Sequence, residues 1–143
     1  MRLVAVVLGA VLTALSVSSA SAVVRITGDA GGQIGPYLEN LMAIRESGQR
    51  VVIDGPCLSA CTLVLGVIPR DRICVTRRAR LGFHAAWHHG ENGRPATNRG
   101  GTQLLMAVYP QNVKKWISRR GGLTREMKYL TGRELASMYP SCQ

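Results

Sequence analysis

Apolar residues change their spacing several times along the chain, and each spacing predicts a different element. Residues 23–27 form a short strand-like run, which a glycine-rich turn follows. Apolar residues then recur at helical spacing between Pro36 and Gly48, which predicts a helix that begins near the proline and stops at the glycine. The β-branched run 51–53 predicts a buried strand. A strand, a helix and a strand in about thirty residues indicate a βαβ unit with a parallel sheet.

The middle of the chain predicts further short elements and one long connection. An apolar segment follows Ser59, so this serine is expected near the N-terminus of a helix. Residues 72–76 and 80–84 each have the composition of a short strand. Residues 89–101 are rich in glycine and asparagine, which predicts a long polar loop and a candidate mobile lid.

The last third of the chain is predicted to be helical. Amphipathic stretches at 104–109 and 113–119 are followed by a pair of glycines. Thr131 and Glu134 have the spacing of a capping box, which predicts one more short helix. The sequence therefore predicts an α/β fold with repeated β-α-β units, a mainly parallel sheet and C-terminal helices.

Residues 1–22 have the layout of a secretory signal peptide. Arg2 supplies one positive charge, residues 3–17 are almost wholly apolar, and an Ala-Ser-Ala cleavage signal ends at Ala22. Cleavage there leaves a single domain, residues 23–143, in the periplasm or outside the cell. The alternative is an uncleaved N-terminal anchor, although the apolar stretch is short for a membrane span.

Export changes the interpretation of the four cysteines. A chain of 143 residues with 46% apolar residues suits one ordered domain. An even number of cysteines in an oxidising compartment predicts two disulfides, with three connectivities open. The candidates are Cys57, Cys61, Cys74 and Cys142. A C-x-x-C redox motif is absent from the sequence, since three residues separate the first two cysteines.

The chain is strongly basic, with a formal net charge of +10. Its basic residues are dispersed and its few aromatic residues do not interleave with them, unlike a platform for nucleic acid. We therefore expect a solvated basic surface and no nucleic-acid partner, with a bias toward acidic substrates or the membrane surface.

The candidate chemistry combines a serine, a histidine and a glycine turn. Ser59 at a helix entrance would have backbone N–H groups beside it, which favour a developing negative charge. His84 ends a predicted strand and is the usual kind of base for a hydroxyl nucleophile. The Gly31-Gly32 turn offers a second N–H donor. The alternative for each residue alone is an ordinary helix cap and an ordinary histidine.

This order of features resembles the proteolytic subunit of the Clp protease, within the Clp-protease/crotonase superfamily. The resemblance runs from about Gly28 to Tyr139 and includes the glycine pair, a helix, a strand, a G-x-x-x-S segment that begins at Gly55, and a strand ending in histidine. The segment 129–134 also resembles the one that precedes the last helix of the family. The resemblance implies the following roles: nucleophile Ser59, general base His84, and oxyanion-hole donors Gly32 and Ala60.

Two departures from the family pattern bear on activity. The catalytic aspartate of the family falls near Leu123 or Thr124, where this chain has no carboxylate. Glu126 is the nearest acid and is the candidate to orient His84 from a shifted position. A Ser-His dyad and an inactive descendant are the alternatives. The chain is also shorter than a typical family member, so segments that build the family's ring assembly are in doubt.

The function expected from these features is an exported, ATP-independent serine hydrolase, specifically a peptidase. Its partners would be a peptide or protein substrate and further copies of itself, with no ATP-dependent unfoldase, cofactor or metal. The first alternative is a catalytically inactive module of the same fold that binds peptides or proteins. The second is a metal-binding protein that uses His88 and His89 with Cys57 and Cys61, although that spacing matches no common zinc module.

Overall fold

The computed structural model describes residues 22–143 as a mixed α/β fold. Its strands are β1 (Val23–Ile26), β2 (Arg50–Ile53), β3 (Pro56–Leu58), β4 (Ile73–Val75), β5 (Arg80–Phe83), β6 (Trp87–His89), β7 (Pro95–Thr97) and β8 (Lys128–Thr131). Its α-helices are α1 (Ile34–Glu46), α2 (Val64–Val67), α3 (Arg99–Val108), α4 (Gln111–Arg119) and α5 (Gly132–Ala136). A short 3-10 helix, Ser59–Leu63, connects β3 to α2.

The first sheet confirms the predicted parallel arrangement. Its order is β1-β2-β4, and both neighbouring pairs run parallel. Val51 and Ile53 of β2 are buried, and Leu41 is the buried residue of α1, the helix that connects β1 to β2. Because β2 is the central strand of the sheet and residues 51–53 are all buried, its unbroken β-branched run is what a buried parallel strand requires.

The second sheet begins with β3, shortly after β2 in the chain, and Ser59 and His84 directly follow two of its strands. Its order is β3-β5-β8, with β3 parallel to β5 and β8 antiparallel to β5. Gly55 makes the step between the two sheets, and a Cβ atom there would lie 2.0 Å from the Thr27 carbonyl oxygen. Only glycine allows the two backbones to come this close.

Asp54 closes the carboxyl end of β2 with a cluster of hydrogen bonds. Its carboxylate accepts from Arg78, Thr76 and Arg25. The hydrogen bond from Arg78 is the largest cause that holds the pKa of Asp54 well below its usual range. The charged side chain, 7% exposed, is thereby compensated immediately before Gly55 and the second sheet.

The core lies between the sheets and the C-terminal helices. The Phe83 ring contacts Tyr109 edge-on and lies 5.4 Å from Trp116, centroid to centroid. Aromatic pairs in this range add to the free energy gained by burial. No helix within residues 22–143 is both long and apolar enough to traverse a bilayer.

The prediction of a long polar loop over residues 89–101 is wrong. Strands β6 and β7 form an antiparallel hairpin there, and α3 begins at Arg99. The turn contains Asn92 and Gly93, both with positive φ, which is the Asn-Gly signal of a tight hairpin. The side chain of Asn98 caps α3 by accepting from the Gly101 N–H at 2.8 Å.

The prediction that the last third is helical is correct for α3, α4 and α5 but misses β8. Strand β8 pairs with β5, so Leu130 is fully buried opposite Leu81. Helix α5 does begin after Thr131, but that side chain makes no capping hydrogen bond. Glu134 accepts instead from Arg120, so the expected capping box is replaced by a surface ion pair.

Disulfides join Cys57 to Cys61 and Cys74 to Cys142. The pairing selects one of the three connectivities and accords with an oxidising environment. The predicted signal peptide, residues 1–22, lies outside the described residues except for Ala22 and stays a prediction.

Candidate active site

A cleft of about 610 Å³ opens between the Ser59 turn, the β6–β7 hairpin and the start of α1. The glycine turn before α1 forms one side of this cleft, and the hairpin and α3 form the other. Its lining residues are Ala30, Gly31, Gly32, Gln33, Ile34, Ser59, Ala60, His84, Ala86, Trp87, His88, His89, Asn98 and Leu105. None of these side chains is a carboxylate.

Ser59 lies at the junction of β3 and the 3-10 helix in an uncommon backbone conformation. Its φ is +56°, in the left-handed region that residues with a Cβ rarely adopt. The surrounding contacts must stabilise such a conformation, since it costs about 1–3 kcal/mol. Residues held this way often occur at functional sites, where the turn points a side chain in a particular direction.

His84 follows β5 directly and reaches across to the serine. Its Nε2 atom lies 2.8 Å from Ser59 Oγ. The two meet because β3 and β5 are parallel neighbours, so the residues that follow their carboxyl ends lie at the same sheet edge. With the ring proton on Nδ1, the serine hydroxyl donates to Nε2.

The two predicted N–H donors also line this cleft. Among residues 22–143, the structure records no hydrogen-bond acceptor for the backbone N–H of Gly32 or of Ala60. Ala60 is the residue after Ser59 at the start of the 3-10 helix, where the first N–H groups have no partner within the helix. Two N–H groups without a recorded acceptor in the described residues therefore belong to residues that line the same cleft as Ser59.

Gly31 fixes the distance between the glycine turn and the serine turn. A Cβ atom on Gly31 would lie 2.5 Å from Ser59 Cβ and 2.9 Å from the Ala60 nitrogen. Its φ of +83° also suits glycine alone. The Gly31 N–H donates to Asp29, so the turn that carries Gly32 is held by its own hydrogen bond.

Glu126, the candidate acid, is not brought to the histidine. Its side chain is exposed, and among the described residues the only hydrogen bond recorded for the His84 ring is the one to Ser59. The segment itself does pass close to the site, because the Thr124 carbonyl accepts from the Ala85 N–H at 2.7 Å. The residue that this hydrogen bond brings beside Ala85, Thr124, has no carboxylate.

The suggested metal site on His88 and His89 is wrong. Both cysteines that it requires, Cys57 and Cys61, are joined in a disulfide and supply no thiolate. Within residues 22–143 no group of three or more potential ligands comes together. The two histidines lie on the exposed hairpin strand β6, where the His89 ring contacts Trp87 edge-on.

Sequence reasoning missed the far wall of the cleft. Trp87, half exposed, and Leu105, buried, both line it. The Asn92-Gly93 pair was the available signal for the hairpin that carries Trp87, and the apolar spacing around Leu105 was the signal for the helix.

The similarity of this chain to known proteins is one of structure. No protein-family model matches the chain, and none of the curated proteins matches it. Among solved structures, a point mutant of ClpP1 from Listeria monocytogenes is similar, with 13% sequence identity. The match covers 81% of this chain and 68% of that chain, with a TM-score of 0.49. Similarity at this level does not assign the chain to a family.

Proposed function

We propose that this chain is an exported, ATP-independent serine hydrolase that cleaves peptides, with Ser59 as nucleophile and His84 as general base. The observation that carries the proposal is the 2.8 Å contact between Ser59 Oγ and His84 Nε2 in an open cleft. A hydroxyl is a weak nucleophile until a base accepts its proton, and this contact supplies that base. The resemblance to the Clp proteolytic subunit supports the choice of a peptide substrate.

The reaction uses four groups of the cleft. Ser59 Oγ attacks the substrate carbonyl carbon while its proton moves to His84 Nε2. The carbonyl oxygen becomes an oxyanion, and the N–H groups of Gly32 and Ala60 are its donors. His84 then gives the proton to the leaving amine. Water repeats the sequence on the acyl-enzyme and regenerates the serine.

The histidine works without a carboxylate in this mechanism. In a triad the acid holds the imidazole in the tautomer that leaves Nε2 free to accept. Here His84 Nδ1 has no hydrogen-bond partner within residues 22–143. We therefore assign a Ser-His dyad rather than a triad, and we expect slower turnover than a complete triad gives.

Export and independence from ATP belong to the same proposal. The signal-like N-terminus and the two disulfides support a periplasmic or secreted protein. A protein outside the cytosol meets neither ATP nor an unfoldase that consumes it, so short or unfolded peptides are the proposed substrates. Assembly into a homo-oligomer remains part of the proposal on the resemblance alone.

A fluorophosphonate probe tests the nucleophile directly. The purified protein should gain one covalent adduct, and the adduct should map to the peptide that contains Ser59. Ser59→Ala should abolish it. Ser118→Ala is the matched control, because Ser118 is exposed on α4 outside the cleft.

Two labelling results would contradict the proposal. Folded protein that stays unlabelled, or that labels equally after Ser59→Ala, would leave the cleft as a binding site without catalysis. Labelling that persists after heat denaturation would mean that the probe reacts with an ordinary serine.

A further inference from the structure

Thr62 and Tyr109 form a buried pair of hydroxyl groups directly behind the serine turn. Thr62 Oγ1 lies 2.6 Å from the Ser59 carbonyl oxygen and 2.6 Å from Tyr109 Oη. Thr62 is fully buried and Tyr109 is 2% exposed. The pair lies outside the cleft, so neither side chain is among those that line it.

The direction of these hydrogen bonds follows from counting protons. A carbonyl oxygen only accepts, so the single hydroxyl proton of Thr62 is used for Ser59. Thr62 must then accept from Tyr109, which donates its phenolic proton. Burial raises the pKa of Tyr109 to about 12, so this proton is retained at neutral pH. Consecutive hydrogen bonds of this kind strengthen one another in a dry interior.

Tyr109 also contacts the strand that carries the base. Its ring meets Phe83 edge-on, with 5.4 Å between centroids, and Phe83 is the residue before His84. Tyr109 follows the last residue of α3, the helix that forms one wall of the cleft. The buried Tyr109 side chain therefore contacts both Thr62, which binds the Ser59 carbonyl, and Phe83, which precedes His84.

We propose that Thr62, held by Tyr109, is a positioning residue that keeps the Ser59 backbone in its left-handed conformation and so keeps Ser59 Oγ against His84 Nε2. The inference rests on the proposed function for its rate consequences. A displacement of about 1 Å at a reacting atom can lower a rate by about a hundredfold, so the loss of one backbone contact is enough to matter.

The experiment compares three variants of the pair with one control. Thr62→Val keeps the shape and removes the hydroxyl, Thr62→Ser restores a hydroxyl, and Tyr109→Phe removes only the phenolic oxygen. Ile73→Val is the control, since it trims a buried residue of the other sheet. All four are measured by thermal unfolding, so that each rate refers to folded protein.

The first readout is the rate of fluorophosphonate labelling together with kcat and KM on a small ester. Thr62→Val and Tyr109→Phe should lower kcat and the labelling rate by roughly tenfold or more and leave KM near its original value. Thr62→Ser should recover most of the rate, and Ile73→Val should label normally. Wild-type labelling by folded Thr62→Val, or equal impairment in Thr62→Ser, would overturn the proposal. If Thr62→Val does not fold, the rate of Tyr109→Phe decides.

The second readout needs no catalysis and separates this proposal from the proposed function. The nitrogen-15 shift of His84 Nε2 reports its hydrogen bond to Ser59, and Ser59→Ala gives the reference for a lost bond. Thr62→Val and Tyr109→Phe should move the shift toward that reference. If the wild-type protein fails to label, the hydrolase is refuted, while this shift still decides the positioning role. An unchanged shift in both variants would overturn it.

Discussion

The two halves of the proposed dyad are supported very differently. The serine side is held at several points: the Cys57–Cys61 disulfide spans it, Gly31 packs against it, and Thr62 binds its carbonyl. The imidazole of His84 has a single recorded hydrogen bond within residues 22–143, and that bond is to the serine itself.

This difference indicates where each half obtains its geometry. The serine needs its contacts because a positive φ is costly and must be imposed by the surroundings. The His84 backbone is fixed by its neighbours, Phe83 and Ala85, but the ring depends on Ser59 for its direction. We therefore expect changes on the serine side to act through structure, and changes on the histidine side to act on chemistry alone.

The largest expected effect is on the histidine side. His84→Ala removes the proposed base and should lower fluorophosphonate labelling by about 10²- to 10⁴-fold, the usual contribution of a general base. Because the ring supports little else, the unfolding midpoint should change little. His88→Ala removes another imidazole of the cleft and should have a much smaller effect on labelling. Equal effects of the two variants would contradict the assignment of the base.

Gly31→Ala tests the packing on the serine side. The new Cβ would lie 2.5 Å from both the Leu58 carbonyl oxygen and Ser59 Cβ, at a φ of +83°. We expect a loss of about 1–3 kcal/mol in the free energy of unfolding from the backbone strain alone, together with loss of labelling. Gly28→Ala is the matched control, because a Cβ there meets nothing within 4 Å. If Gly31→Ala unfolds and labels like the control, the serine turn is not held by this contact.

Removal of each disulfide should affect a different property, the stability of the fold in one case and the geometry of the serine turn in the other. Their sequence separations of 68 and 4 residues predict losses of about 4 and about 2 kcal/mol when each is removed, on the loop-entropy estimate. Replacing Cys74 and Cys142 by alanine should therefore lower the unfolding midpoint more. Replacing Cys57 and Cys61 should lower the labelling rate of folded protein more, since that disulfide spans Ser59. The reverse ranking of the unfolding midpoints would contradict the loop-entropy estimate, and the reverse ranking of the labelling rates would contradict a role of the Cys57–Cys61 disulfide in holding the serine turn.

Periodicity predicts much of the first sheet, whereas the approach of Ser59 to His84 was expected from the resemblance. The periods of β1, α1 and β2 are distinct enough to indicate a βαβ unit, and they appear as predicted. The approach of Ser59 to His84 results from the parallel pairing of β3 with β5, and β3 was not among the predicted strands. The catalytic roles of Ser59 and His84 stay predictions, because geometry alone does not measure a reaction.

Other features depend on contacts that no local pattern contains. Strand β8 has four residues with a partly exposed pattern, too short for a period to emerge. Thr62 and Tyr109 are 47 residues apart, and each has an ordinary local role as a residue of an apolar segment. The disulfide pairing likewise required the three-dimensional arrangement, since four cysteines permit three connectivities.

Acid should weaken the carboxyl end of β2, where Asp54 accepts hydrogen bonds from Arg78, Thr76 and Arg25. Arg78, the largest cause, lowers the pKa of Asp54 in the folded protein, so the stabilisation from this carboxylate is fully present above the ordinary aspartate pKa of about 4. It is lost progressively as the pH falls below that value. Asp54→Asn should therefore flatten the acid limb of the unfolding midpoint against pH. Asp71→Asn, at an exposed position, is the control, and identical acid limbs in both variants would contradict this role.

The smallest expected effect tests whether a carboxylate orients His84 and completes a catalytic triad. Glu126 is exposed and makes no recorded hydrogen bond with His84, so Glu126→Gln should leave the labelling rate and its pH profile essentially unchanged. An orienting carboxylate would behave otherwise, because its amide favours the wrong imidazole tautomer and lowers the rate by orders of magnitude. A large loss in Glu126→Gln would therefore replace the dyad with a triad that forms only when substrate binds, and the two sides of the site would then be supported more equally.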